Sequence, residues 1–171
     1  MVKKLLFLIF SYVLCSACAA YAPYYGFDSD SDFSKGVSAF NAGNFTTARN
    51  YLTPYAQEGN PDAQYLLGLM ALNALGESVD VFEAEKQFEN AANQGHIPAQ
   101  IQIAYLYKDT RYPVYNPAQS YYWFAVLSQN IPDYEAQLNN LNWMLNGNVP
   151  RNIKKIKPRK SLNFNQLYPA R

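Results

Sequence analysis

The sequence predicts an all-α protein, an α/α solenoid of about three helical hairpins closed by a C-terminal capping helix, on three observations. Asn44, Asp80 and Asn116 recur at a spacing of 36 residues, each four residues before a small one, Ala48, Ala84 and Ser120. The same spacing carries Thr47/Glu83/Gln119, Leu52/Phe88/Phe124, Ala56/Ala92/Ser128, Gly59/Gly95, Ala63/Ala99, Gln64/Gln100, Leu67/Ile103 and Gly68/Ala104. The residue types suit helix ends: Asn or Asp satisfies free amides as an N-cap, Glu83 and Gln119 complete a capping box, and Gly59 and Gly95 stop a helix. A unit with those boundaries, repeated in register, is a helical hairpin stacked on its copies.

Residues 1–22 read as a leader outside the fold, because Lys3 and Lys4 precede an apolar run, Leu5 to Leu14, too short to span a bilayer. The leader has two exits, a small-x-small cut at Ala20-Tyr21-Ala22 or lipid attachment at Cys18. Leu14-Cys15-Ser16-Ala17 before Cys18 resembles a bacterial lipoprotein box, departing from it where Cys15 stands in place of the usual Leu. By resemblance to lipoprotein sorting, Ala19 after the anchor implies the outer membrane. Both cysteines lie in the leader, so the remainder has neither disulfides nor thiolate metal sites. About 150 residues remain, enough for one domain that buries roughly two thirds of the surface its unfolded chain exposes.

Residues 23–32 form a polar spacer, and the repeat domain spans 33–146. The first hairpin covers Phe33 to Glu58, with Gly36, Ala39, Phe40, Gly43, Phe45 and Ala48 at helical spacing. The second pairs Pro61–Leu75 with Val81–Gln94, and Pro61 suits a first helical turn, where its missing amide costs nothing. The third pairs Pro98–Lys108 with Pro117–Gln129 across a long connection, Asp109 to Asn116. A last helix, Pro132 to Leu145, stops near Gly147 and Pro150, and there the period fades, as a terminal unit that must face water requires. The small residues Gly68, Ala84, Ala92, Ala104, Ser120 and Ser128 let backbones approach, while Leu67, Phe88, Ile103 and Phe124 fill the space beside them.

The segments EGNPDAQYLLGLM and QGHIPAQIQIAYLY, with Ala84, Ala91, Ala92, Gly95, Ala99, Gln100 and Ile103, resemble the Sel1-like repeat family, and Tyr122-Trp123-Phe124 resembles the aromatic pair of its second helix. The resemblance covers Phe33 to Gln129. The first hairpin departs from it, since Gly36 to Ala48 spans twelve residues where Gly68 to Ala84 spans sixteen, and twelve is similar to tetratricopeptide spacing. The resemblance implies a non-catalytic solenoid that binds other proteins, often in bacterial envelopes. By analogy with tetratricopeptide grooves it places Phe33, Val37, Phe40, Tyr65, Leu69, Leu72, Ile101, Tyr105 and Lys108 on a partner-binding face.

The residues themselves argue against chemistry at a site. His96 is the sole histidine and reads as a cap or an exposed residue, so the usual ligands assemble no zinc site. Glu83, Glu85 and Glu89 read as a solvated helix face. Asp28, Asp30 and Asp32 resemble the start of a calcium loop, but Phe33 replaces its glycine and Ala39 its glutamate. No nucleophile elbow or phosphate loop appears, and neither a catalytic residue nor a cofactor is expected.

Two features point to partners. Tyr105, Tyr107, Tyr112, Tyr115, Tyr121 and Tyr122 crowd into eighteen residues; Tyr107 and Phe124 read as core, whereas Tyr112 and Tyr115 lie in a loop and read as a contact surface. Charge is also divided: residues 23–149 carry five basic side chains against thirteen acids, while Arg151, Lys154, Lys155, Lys157, Arg159, Lys160 and Arg171 crowd residues 147–171. That basic tail reads as a flexible extension, as a strap on the acidic stack, or as a contact for anionic lipid or cell-wall polymer; export argues against nucleic acid. The expected function is a non-enzymatic, exported adaptor, periplasmic, anchored at the outer membrane or secreted, that holds a protein or peptide in the bacterial envelope. The alternatives are a regulator, inhibiting or recruiting a cell-wall enzyme, and a secreted host-interaction factor.

Overall fold

A computed structural model describes residues 31–129 and 131–145. The leader with Cys18 and the tail with Arg151, Lys154, Lys155, Lys157, Arg159 and Lys160 lie outside the described residues. The fold is all-α: α1 (Asp32–Asn41), α2 (Phe45–Gln57), α3 (Pro61–Leu72), α4 (Val81–Asn93), α5 (Ile97–Lys108), α6 (Pro117–Ser128), a 3-10 turn (Pro132–Tyr134) and α7 (Glu135–Met144). Among the described residues there is no strand. The chain forms two compact units, Met1–Tyr51 and Leu52–Arg171, with the boundary inside α2.

In the first unit, Ser31 starts α1, its hydroxyl oxygen accepting the Ser34 amide at 3.2 Å. The helix therefore opens within the segment expected to be spacer. Gly43 adopts φ +77°, a left-handed conformation that glycine takes without a Cβ clash, and the Phe40 and Phe45 rings meet edge to face at 5.7 Å across this turn.

In the second unit each helix from α3 to α7 packs on its successor, giving the solenoid order of hairpin on hairpin. The caps act where the 36-residue period places them. Asp80 accepts the Glu83 amide at 2.9 Å and Asn116 the Gln119 amide at 3.2 Å. The second half of each capping box is replaced by another bond. The Asp80 amide donates to the Ala71 carbonyl at 2.9 Å and the Asn116 amide to the Tyr107 carbonyl at 2.8 Å, so the cap's own backbone clasps the preceding helix. Glu83 is thereby released sideways, accepting from Lys86 at 3.2 Å and from Gln87 at 2.7 Å.

Helix ends also carry the glycine signal. Gly59 and Gly95 have φ of +92° and +90°, and the next residues donate back across the turn, Asn60 to Tyr55 and His96 to Ala91. The exception is α3, which stops at Leu72 rather than at Leu75. Asn73 Nδ2 donates to the Leu69 carbonyl at 2.9 Å, and Ala74 turns to φ 55°, closing the helix with the Leu75 amide on the Met70 carbonyl. The last predicted helix likewise divides, because Pro132 opens a 3-10 turn before α7 begins.

The repeated Ala-Gln pair has a structural reason. Gln64 and Gln100, both buried, donate from Nε2 to the carbonyls of Ala56 and Ala92 at 3.1 Å each, adding a second donor to acceptors that the Gly59 and Gly95 amides already reach at the ends of α2 and α4. Gln94 Nε2 then donates to Gln64 Oε1 at 2.9 Å, joining the two helices of the second hairpin. Ser120 adds a cross-helix bond, its hydroxyl donating to the Ala104 carbonyl at 2.8 Å.

Close approach is sharpest at Gly68, where a Cβ would stand 2.6 Å from the Phe88 ring. Phe88, Ala84, Ile103, Ala104, Phe124 and Leu141 are all fully buried. Because the ring has no room to yield, Gly68→Leu and Ala84→Leu should each destabilise the fold by about 1–3 kcal/mol, measured by urea unfolding. Gln100→Leu, which removes one of the two donors on the Ala92 carbonyl, should cost about 0.5–1.5 kcal/mol in the same assay.

Candidate partner-binding surface

The residues expected to line a partner groove fall in both units. In the first, Phe33 and Val37 are half-buried and Phe40 is 8% exposed, packed on Phe45. In the second, Leu69 is 6% exposed. Phe40 and Leu69 thus belong to the interior and do not offer their side chains to a partner. For Leu69 the reason lies in its helix: five consecutive residues, Leu67 to Ala71, are buried, so this part of α3 has no free stripe. Tyr105, one repeat later, is 43% exposed, standing edge-on to Phe124 at 5.1 Å.

Three of the remaining positions are uncharged and partly exposed. Tyr65 is half-buried, its ring 4.9 Å from His96 and 6.0 Å from Phe88; Leu72 and Ile101 are also half-buried. α3 contains one charged side chain, Asp62, and α5 one, Lys108. Both are held within the chain. Asp62 meets His96 at 3.0 Å, whereas the Lys108 ammonium donates to Gln137 of α7 and lies 6.0 Å from the Phe124 ring centre. The two helices thus leave neither of their own charges unpaired, while Leu72, Ile101 and Tyr105 stay partly exposed.

His96 is a cap, as one of its two expected roles had it, and it is buried rather than exposed. Its Nδ1 accepts the Ala99 amide at 3.2 Å, which leaves the proton on Nε2 to be donated to Asp62 Oδ1. Asp62 lies in the first turn of α3, one hairpin earlier, so the imidazole links two hairpins of the second unit while capping α5. Its ring is committed at both nitrogens. Asn60, 36 residues before, caps α3 by accepting the Asp62 and Ala63 amides at 3.0 Å each.

The α4 carboxylates are less solvated than their spacing suggests. Glu85 and Glu89 are half-buried and, after burial itself, they push the Tyr107 hydroxyl pKa up. Tyr107 is 5% exposed and Phe124 fully buried, both in the core. Among the described residues no group of three or more His, Cys, Asp or Glu side chains is placed to hold a metal ion. Asp32, the one described member of the alternating acids, pairs with Lys35 at 2.7 Å on the exposed side of α1.

The tyrosine loop is organised by Asp109. Its carboxylate accepts the Arg111 amide at 3.0 Å and Arg111 Nε at 2.9 Å, with Nη2 on the other oxygen. The guanidinium then lies 5.9 Å from the Tyr112 ring centre. Within the loop Val114 is buried, Tyr112 half-buried, and Tyr115 exposed at 37%. Sequence reasoning placed both tyrosines in a loop but missed the Asp109–Arg111 brace, whose signal is the short i, i+2 spacing of opposite charges.

No family model matches the chain. An uncharacterized protein of Neisseria meningitidis serogroup B is 32% identical over 111 residues, covering 64% of this chain and 22% of that protein, so the chain spans about a fifth of the length of this relative. No helix among the described residues is long and apolar enough to cross a membrane.

The side-chain and backbone hydrogen bonds from Arg111 hold the Asp109 carboxyl down at about 2. Its ordinary value is about 3.9, so the brace is fully formed above that pH and is lost as pH falls through about 2. Carboxyl NMR titration should show Asp109 moving up towards about 3.9 in Arg111→Ala.

Proposed function

We propose that this chain is a non-enzymatic adaptor of the bacterial cell envelope, built from Sel1-like repeats, whose neutral face on α3 and α5 receives a protein or peptide. The observation that supports the reading is the state of the two charges on those helices: each is satisfied inside the chain, leaving Leu72, Ile101 and the exposed Tyr105 to present an uncharged surface. Tyrosine is favoured at interfaces because it buries a large ring while its hydroxyl stays hydrogen-bonded. Tyr115 and Tyr112, beside the Asp109–Arg111 brace, extend the contact region. The leader carries the export step, with Cys18 as its lipid anchor, and the cationic tail contacts anionic lipid or cell-wall polymer. Similarity to a chain from Neisseria meningitidis supports a bacterial setting.

The reading is tested by placing a photo-crosslinking residue at position 101 or 105 in cells. Both positions should trap the same envelope protein, and Tyr105→Ala should weaken its capture from position 101 by about tenfold, the effect of losing one buried interface aromatic. Scattered or absent adducts at both positions would reject the adaptor surface. If the captured protein is a cell-wall enzyme whose rate changes when pure adaptor is added in excess, the adaptor acts as its regulator.

A further inference from the structure

The end of the described chain is an uncovered helix. On α7, Leu141 is fully buried and the helix packs on α6, but Trp143 is 80% exposed and Met144 39%. Ala136, Asn139 and Asn140 share that exposure, so a stripe of α7 lies open along its length. An indole of that size in water is an unusual endpoint for a soluble helix, because an aromatic side chain buries more apolar area than almost any other.

The two earlier helices of the same kind show how such a stripe is covered. After α3 come eight residues, 73–80, then α4, which packs back on α3 from the cap Asp80. After α5 come eight residues, 109–116, then α6, which packs back on α5 from the cap Asn116. Eight residues past Met144 end at residue 152, which is Asn, and 152 is also the next position of the 36-residue column through Asp80 and Asn116. Beyond it stand Ile153, Ile156, Leu162, Phe164 and Leu167.

We propose that residues 152–171 return along α7 and cover Trp143 and Met144, completing a fourth, abbreviated pairing in place of a full hairpin. Pro158 sets the abbreviation, because it removes an amide six residues past Asn152 and bars a helix as long as α4 or α6. Reach is sufficient: α7 is about 15 Å long, and twenty residues can extend over about 60 Å. This inference is independent of the partner face, since it concerns α7 and the segment after it and not the faces of α3 and α5.

Fluorescence of the full chain minus that of full-chain Trp143→Phe isolates Trp143 from the buried Trp123. Trp143 should resist acrylamide quenching, and Ile153→Asn with Ile156→Asn and Phe164→Ser should raise its quenching constant several-fold without altering the far-ultraviolet circular dichroism. Equal quenching before and after substitution overturns the proposal, as does shielding that weakens on dilution, which would assign a second copy to this face. A benzophenone residue at position 143 of an otherwise unaltered chain gives a second measure. Adducts within the same chain at 152–171 support the proposal, and adducts elsewhere, or none, refute it.

Discussion

Short helices packed in series have too many open ends, and the rest of this architecture depends on closing them with neighbours. Helices of ten to thirteen residues leave a large share of their amides and carbonyls without intrahelical partners. In the second unit the solution is periodic. The side chains of Gln64 and Gln100 give a second donor to carbonyls at the ends of α2 and α4, while the amides of Asp80 and Asn116 fill carbonyls of Ala71 and Tyr107. Every one of these bonds joins consecutive helices. Burial of Phe88 against Gly68 then follows, because the helix ends fix how closely the two backbones meet.

The same economy shapes the surface. Charges on α3 and α5 are used to connect elements, Asp62 to the cap of α5 and Lys108 to α7, and so are withdrawn from the face that a partner would meet. The α4 carboxylates follow this pattern in part: Glu83 serves Lys86 and Gln87, and Glu85 and Glu89 stand by Tyr107. Neither α3 nor α5 is therefore left with an unpaired charge of its own.

Much of the helix pattern was legible because the signals are local. Asn, Asp and Pro at helix starts and glycine at helix ends act within a few residues of where they stand, and the small and aromatic columns report packing that recurs in each unit. What was hidden depends on reach. Period reveals that Glu83 and Gln119 occupy one position, but not that the amide they were expected to cap is already bonded to the previous helix. It groups Leu69 with Tyr105, but not the enclosure of α3 that buries the first and leaves the second open. The early stop of α3 rested on Asn73 folding back and Ala74 turning left-handed, a local choice that a glycine two residues later, Gly76, concealed.

Because each clasp between consecutive helices involves one residue and a carbonyl nine positions earlier, Asp80 to Ala71 and Asn116 to Tyr107, growth of such a chain is quantised. Duplicating a whole unit reproduces every partner at the right distance, whereas adding a few residues within a connection separates donor from acceptor and moves the small residues off the seam. Gene duplication and slippage would therefore meet very different fates here, and length variation among chains of this architecture should come in whole steps.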